Sequence, residues 1–346
     1  MHMSDALLSP AVGGAFWAGA LGVIAYCARK LKQKIDEKII PLMGVLGAFI
    51  FAAQMINFTI PGTGSSGHLG GGMILAVILG PYAAFIVMAS VLSIQALFFA
   101  DGGLLALGCN IWNLGIYPCF IVFPLIYNTL VQAGSSPKRI VVVSMISGVA
   151  ALQLGAFSVV IETLLSGRSE LPFGTFIYMM LPIHLAIGLM EGFITAGVIN
   201  FVRSARPEIL ESVSVSKDLS PGISLKNVLA GFLILSVVTG GALSWFASSN
   251  PDGLEWAIEK VFGTSELSEH EKGIAPALKH VQNKTSFLPN YSFKHGDDAS
   301  EKEKSKEAWP NIAIGTSVSG IAGAIMVAGL ILLCGLGIKF VKIKRD

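Results

Sequence analysis

Eight stretches of this chain, at about 11–28, 40–58, 69–99, 103–131, 138–165, 173–202, 225–248 and 312–338, are dominated by apolar residues. A helix needs about 20 such residues to cross a bilayer. Composition agrees: 53% of residues are hydrophobic and 13% charged, with a mean hydropathy of +0.69, where a soluble domain carries about 25% charged residues. The expected fold class is an all-α polytopic membrane protein.

Lys and Arg gather on the cytoplasmic side of such proteins. Here they cluster at Arg29, Lys30, Lys32, Lys34 and Lys38, at Lys138 and Arg139, at Arg203 and Arg206, at Lys217 and Lys226, and at Lys339, Lys342, Lys344 and Arg345. Placing the first cluster inside puts the N-terminus outside and returns the second helix to the outside near residue 59. For Lys138 and Arg139 to be inside as well, residues 69–99 must fold back on themselves. Gly80-Pro81 marks the break, because proline cannot continue the helical ladder and its predecessor is pushed out of helical geometry. The first arm is then short or tilted, and its positive N-terminal end beside His68 favours a neutral imidazole. The expected organisation is a seven-helix part over 1–205, a polar cytoplasmic linker over 206–224, and a part over 225–346 with two further transmembrane helices bracketing an extracytoplasmic loop at 249–310. The C-terminus is expected in the cytoplasm.

Several function classes fall away. A net charge of +2, with basic residues confined between apolar runs, gives no footprint for nucleic acid. Cys27, Cys109, Cys119 and Cys334 lie in apolar segments with no CxxC pair, so they read as packing residues. No Gly-Lys dipeptide exists for a Walker A motif, so ATP hydrolysis, if it drives this protein, belongs to another subunit. The N-terminus carries Asp5 and no basic residue before the first apolar run, unlike a secretory n-region, and is read as uncleaved.

The chemistry concentrates at the start of the chain. A histidine at position 2 offers three nitrogens to one metal: the Met1 amine, the His2 backbone nitrogen once deprotonated, and the imidazole. The fourth place in the square plane suits an imidazole such as His68, in Ser66-Gly67-His68, which the topology puts on the same side. Square-planar nitrogen coordination points to Ni(II) or Cu(II) rather than Mg or Ca. Polar residues inside membranes are costly and face the bundle interior. Asn57, Ser66, Gln95, Asp101, Asn110 and Asn113 are candidates to hold the ligands in place, against ordinary helix-to-helix hydrogen bonding. His184 and Glu191, seven apart on one helical face, are weaker candidates for a ligand and a base.

Met1-His2-Met3, Ser9-Pro10, Ser66-Gly67-His68, Gly70-Gly71-Gly72, Gly80-Pro81, Gln95-Ala96-Leu97, Asp101-Gly102-Gly103, Asn110 and Asn113 together resemble the CbiM/NikM family of substrate-capture components in energy-coupling factor (ECF) cobalt and nickel importers. Asn250-Pro251-Asp252-Gly253-Leu254-Glu255 resembles the small CbiN/NikN partner, fused here to the C-terminus. The resemblance implies a seven-helix capture bundle binding Ni(II) or Co(II) through Met1, His2 and His68, in the cytoplasmic membrane of a prokaryote. It also implies a transmembrane coupling subunit of the CbiQ/NikQ type and two cytoplasmic ATPases of the CbiO/NikO type. Many members carry Pro where this chain has Ser4, while Asp5 is retained. The metal is cargo and no resident cofactor is expected. The competing reading is an intramembrane metal-dependent enzyme using His68, or His184 with Glu191. It has no need of the Met1 amine, and no HExxH accompanies it.

Overall fold

The computed structural model describes residues 2–34, 39–132, 134–167, 172–205, 210, 225–264, 267, 273–294 and 309–343. Met1, nearly all of the linker 206–224, His270 and His295 lie outside them. Eleven helices follow one another among the described residues: α1 (Pro10–Lys34), α2 (Ile39–Gln54), α3 (Gly72–Leu79), α4 (Pro81–Phe99), α5 (Leu107–Leu130), α6 (Pro137–Ser166), α7 (Phe173–Ala205), α8 (Leu225–Gly241), α9 (Gly253–Phe262), α10 (Ala275–Thr285) and α11 (Ile314–Ile343). Six of them are long and apolar enough to cross a membrane: α1, α4, α5, α6, α7 and α11; α2 and α8 are shorter apolar helices. The protein is a helical, multi-pass membrane protein.

The break at Gly80-Pro81 falls where the sequence puts it. Pro81 opens α4 at its first turn, where a missing N–H costs nothing. Helix α3 has only 8 residues, all buried, so at about 12 Å it is an element of the core and not a full crossing. Around it pack α4, α5, α6 and α7. Inside α5, residues Trp112–Tyr127 wind in the wider π form and contain Pro118 and Pro124; such winding is uncommon and marks irregular ladders. Helices α6 and α7 form a close hairpin, because Gly148 on one meets the backbone at Gly192 on the other, the small-residue packing that membrane helices use. Helices α8 and α11 lie against α2.

Two features depart from the sequence reading. A short antiparallel ribbon, β1 (Phe58–Ile60) with β2 (Ser65–Gly67), pairs Phe58 with Gly67 and Ile60 with Ser65. Three-residue strands are too short to show an alternating pattern. Second, the segment expected as an external loop at 249–310 contains helices α9 and α10. Asp252 caps α9, its carboxylate accepting from the N–H groups of Leu254 and Glu255 at 2.8 Å each, while the Glu255 side chain accepts from the Asp252 N–H at 3.0 Å. This reciprocal capping box makes the Asp-Gly-Leu-Glu run a helix start.

Candidate metal-binding site

The N-terminal strand enters the bundle and is gripped by its peptide groups. Met3 N–H donates to Asn110 Oδ1 at 2.8 Å, and the Met3 carbonyl accepts from Gly103 N–H at 2.9 Å and from Asn110 Nδ2 at 3.3 Å. The Met3 side chain is fully buried, and Asp5 Oδ1 accepts from Ala106 N–H at 3.0 Å. Position 103 must be glycine, since a Cβ there would stand 1.8 Å from Asp5 Oδ1. Ser4 holds φ −85° and ψ 160°, close to the φ that proline imposes, so the serine keeps the extended turn the resemblance implies. Ser4→Pro is therefore expected to leave metal affinity within about twofold, a ΔΔG below ~0.5 kcal/mol, in a metal titration of the purified protein; a larger loss would mean that Ser4 does more than hold this turn.

This grip sets His2 against His68, the ring centroids 5.1 Å apart and the planes 24° from parallel. His2 Nε2 lies 3.1 Å from Gln95 Oε1, and its Nδ1 is 3.5 Å from Asp101. His68 Nδ1 faces the Leu69 carbonyl at 3.0 Å. A carbonyl can only accept, so Nδ1 carries the proton and Nε2 keeps its lone pair. Burial pushes both imidazoles below their ordinary range, His68 to about 3, so both rings are neutral and able to ligate at physiological pH. The pair borders a cavity of about 630 Å³ that is also lined by Asn57, Asp101, Asp252 and Tyr291.

The other sequence candidates divide. Gln95 touches His2 directly, and Asp101 faces it while accepting a hydrogen bond from the Tyr291 hydroxyl. Burial and the Asp101 charge hold that phenol well above its ordinary range, keeping it the donor. Asn110 acts on the Met3 peptide. Asn113 lies deeper, its Nδ2 donating to Glu162 Oε2 at 2.9 Å. Ser66 and Asn57 hold the C-terminal part: Ser66 N–H donates to the Pro251 carbonyl at 2.8 Å and Ser66 Oγ to the Asn250 carbonyl at 2.7 Å, while the Asn57 carbonyl accepts from Ser248 N–H at 2.7 Å.

His184 and Glu191 share a helical face as their spacing indicates, and each is bonded to main-chain groups. His184 Nδ1 bonds the Met180 carbonyl at 2.7 Å. Glu191 accepts from Gly70 N–H at 2.8 Å and from Gly71 N–H at 3.0 Å, so the positive end of α3 meets this carboxylate.

Sequence reasoning missed Gln54, Asp252 and Tyr291 at the site. The Asp-x-x-Glu spacing at 252–255 was a readable capping signal and Gln54 a polar residue in an apolar run; Tyr291 carries no signal. Position 253 must stay small, as a Cβ would meet Ile183 at 2.5 Å and His184 at 3.1 Å, and this lets the α9 start seat beside His68. Gln282 Nε2 donates to the Ala96 and Gly102 carbonyls at 2.8 Å each, and Thr285 Oγ1 to Leu97 O at 2.7 Å. The C-terminal part thus roofs the histidine pair.

Fold and site define a class: a multi-pass membrane protein presenting two neutral imidazoles in a polar chamber under a roof from its own C-terminal part. Residues 2–209 match CbiM, the cobalt uptake substrate-specific transmembrane region, and residues 226–340 match the PDGLE domain. The chain belongs to the CbiM family of cobalt and nickel transport proteins and carries a fused PDGLE domain. A relative in Archaeoglobus fulgidus, named as a fused nickel transport protein NikMN, is 34% identical over 95% of this chain and 96% of its own. The cobalt transport protein CbiM of Sorangium cellulosum is 31% identical over 65% of this chain and all of its own. The crystal structure of a truncated transition metal transporter superposes with a TM-score of 0.52 at 32% identity, covering 59% of this chain and 99% of that one. The protein is a transporter component and not an enzyme.

Proposed function

We propose that this chain is the substrate-specific component of an ECF-type ABC importer that captures Ni(II) or Co(II) outside the cytoplasmic membrane. The ligands are the Met1 amine, the His2 main-chain nitrogen and imidazole, and His68. The observation that carries this reading is the His2–His68 pair on the cavity wall. Among the described residues no group of three or more His, Cys, Asp or Glu side chains could hold a metal ion, so a divalent ion between the two imidazoles needs main-chain nitrogens to complete its plane. Residues 1–205 form the capture part, 206–224 a cytoplasmic linker, and 225–346 the NikN-like part. The N-terminus is outside and the C-terminus cytoplasmic. Translocation is driven in trans by a coupling subunit of the CbiQ/NikQ type and two ATPases of the CbiO/NikO type. Nickel is favoured over cobalt because the relative that matches nearly the whole chain bears a nickel transport name.

His68→Ala is expected to weaken metal binding at least ~10-fold in equilibrium dialysis with the fold retained, because the ring stands on the cavity wall. The same substitution should abolish nickel and cobalt uptake in cells expressing the chain with its coupling subunits. Unchanged affinity removes His68 from the site.

A further inference from the structure

We propose that Gln54 and Gln95 form a relay that sets which nitrogen of His2 carries its proton, and so aims the ring at the metal; this rests on the N-terminal chelate proposed above. The relay starts at a group with no choice. The Gly70 carbonyl can only accept, and Gln54 Nε2 donates to it at 2.8 Å. That orientation turns Gln54 Oε1 toward Gln95, whose Nε2 donates to it at 2.9 Å. Gln95 Oε1 is then the atom presented to His2 Nε2 at 3.1 Å. An amide oxygen accepts only, so Nε2 must bear the proton and Nδ1 must carry the lone pair.

The chelate needs this tautomer. The ring closing through the His2 main-chain nitrogen, Cα, Cβ, Cγ and Nδ1 has six members with the metal, whereas Nε2 points away and cannot close it. Asp101, 3.5 Å from Nδ1, pulls the other way by favouring a proton on Nδ1. Yielding to it would require Gln95 and Gln54 to turn over together, placing the Gln54 oxygen against the Gly70 carbonyl with both glutamines buried, where two acceptors face to face are costly. The Tyr291 hydroxyl on Asp101 weakens that pull further. The peptide that carries the Gly70 carbonyl is itself held in place through the Gly71 N–H by Glu191. With His68 fixed as the Nδ1–H form by Leu69, the two rings present complementary lone pairs before metal arrives. Gln54 and Gln95 are positioning residues.

The test is 15N NMR of metal-free, 15N-histidine-labelled full-length protein, with His2 assigned by its loss in His2→Gln. His2 should show a protonated Nε2 and an unprotonated Nδ1. Gln54→Leu, which frees Gln95 to turn over, should give a mixture of both tautomers and lower nickel affinity about tenfold without altering the His68 signals. Adding Gln95→Glu to Gln54→Leu, so that only an acceptor faces His2, should restore the Nε2–H form. A wild-type His2 protonated on Nδ1, or an unmixed tautomer in Gln54→Leu, overturns the relay; the wild-type spectrum decides even if Gln54→Leu fails to fold. If His68→Ala leaves nickel affinity unchanged while His2 keeps the Nε2–H form, the metal site has failed and the relay stands.

Discussion

Inserting one leucine between Met1 and His2 is expected to lower nickel affinity by more than the ~10–100-fold that losing an outer partner of a ligand costs. The downstream chain cannot shift to absorb the extra residue. Both polar groups of the Met3 peptide are held, by Asn110 and Gly103, and Asp5 is tied to Ala106. The insertion must fall on the metal side, where it enlarges the chelate, adds a second amide to deprotonate and moves the amine by about 3.5 Å. A cavity of about 630 Å³ has room for it, so the fold should survive and the loss belongs to coordination. The proton balance gives a second check. As pH falls, protons compete with the metal for whichever donors take them up. The buried imidazoles are poor competitors, since burial lowers both and pushes His68 to about 3. The His2 amide must give up its proton at every pH in this range, so affinity should fall with pH throughout, and more steeply where the amine, which ordinarily titrates at about 7.7–8.0, also takes up a proton. Titrations from pH 5 to 9 in two buffers of different ionisation enthalpy would measure both. Wild-type affinity in the insertion variant, or binding without proton release, would show that the N-terminal chelate is not the site.

How far the sequence reached can be seen residue by residue. His2 and His68 could be placed together because helix parity and the positions of Lys and Arg act over whole segments, where the apolar signal is strongest. Gly80-Pro81 was legible for a local reason, the missing N–H. Glu191 was assigned to the right face of α7, but sequence spacing says nothing about what sits opposite, and there it meets Gly70 and Gly71. The roof was illegible for a different cause. Residues 249–294 are polar, and their docking rests on backbone carbonyls at Ala96, Leu97 and Gly102, acceptors that every sequence supplies equally. Gln54 was visible as a polar residue in an apolar run, yet its part depends on the direction of an amide.

Replacing Glu191 with leucine is expected to cause the largest loss of stability among single changes at this end of the bundle. Helix α3 begins with donors that have no intrahelical partner, its N-cap is Gly71 with no side-chain cap, and all of its residues are buried, so water cannot serve them. Glu191 of α7 reaches across to accept from both Gly70 and Gly71. Leucine leaves two buried N–H groups unpaired at about 1–3 kcal/mol each, a large share of the 5–15 kcal/mol that typically holds a domain folded. Glutamine should cost much less, because Oε2 alone already accepts from both donors, at 2.8 and 3.1 Å; what it loses is chiefly the charge at the helix N-terminus, about 0.3–2 kcal/mol. Thermal unfolding in detergent should therefore rank wild type above Glu191→Gln and Glu191→Leu lowest. Metal binding should follow the same order, since Glu191 holds, through the Gly71 N–H, the peptide whose Gly70 carbonyl orients Gln54. Glu191→Gln is the more informative variant. A catalytic base would lose its chemistry entirely on that change while stability stayed high; a capping residue loses little of either. A Glu191→Leu protein as stable as wild type would leave the α3 N-terminus without the support assigned to it here.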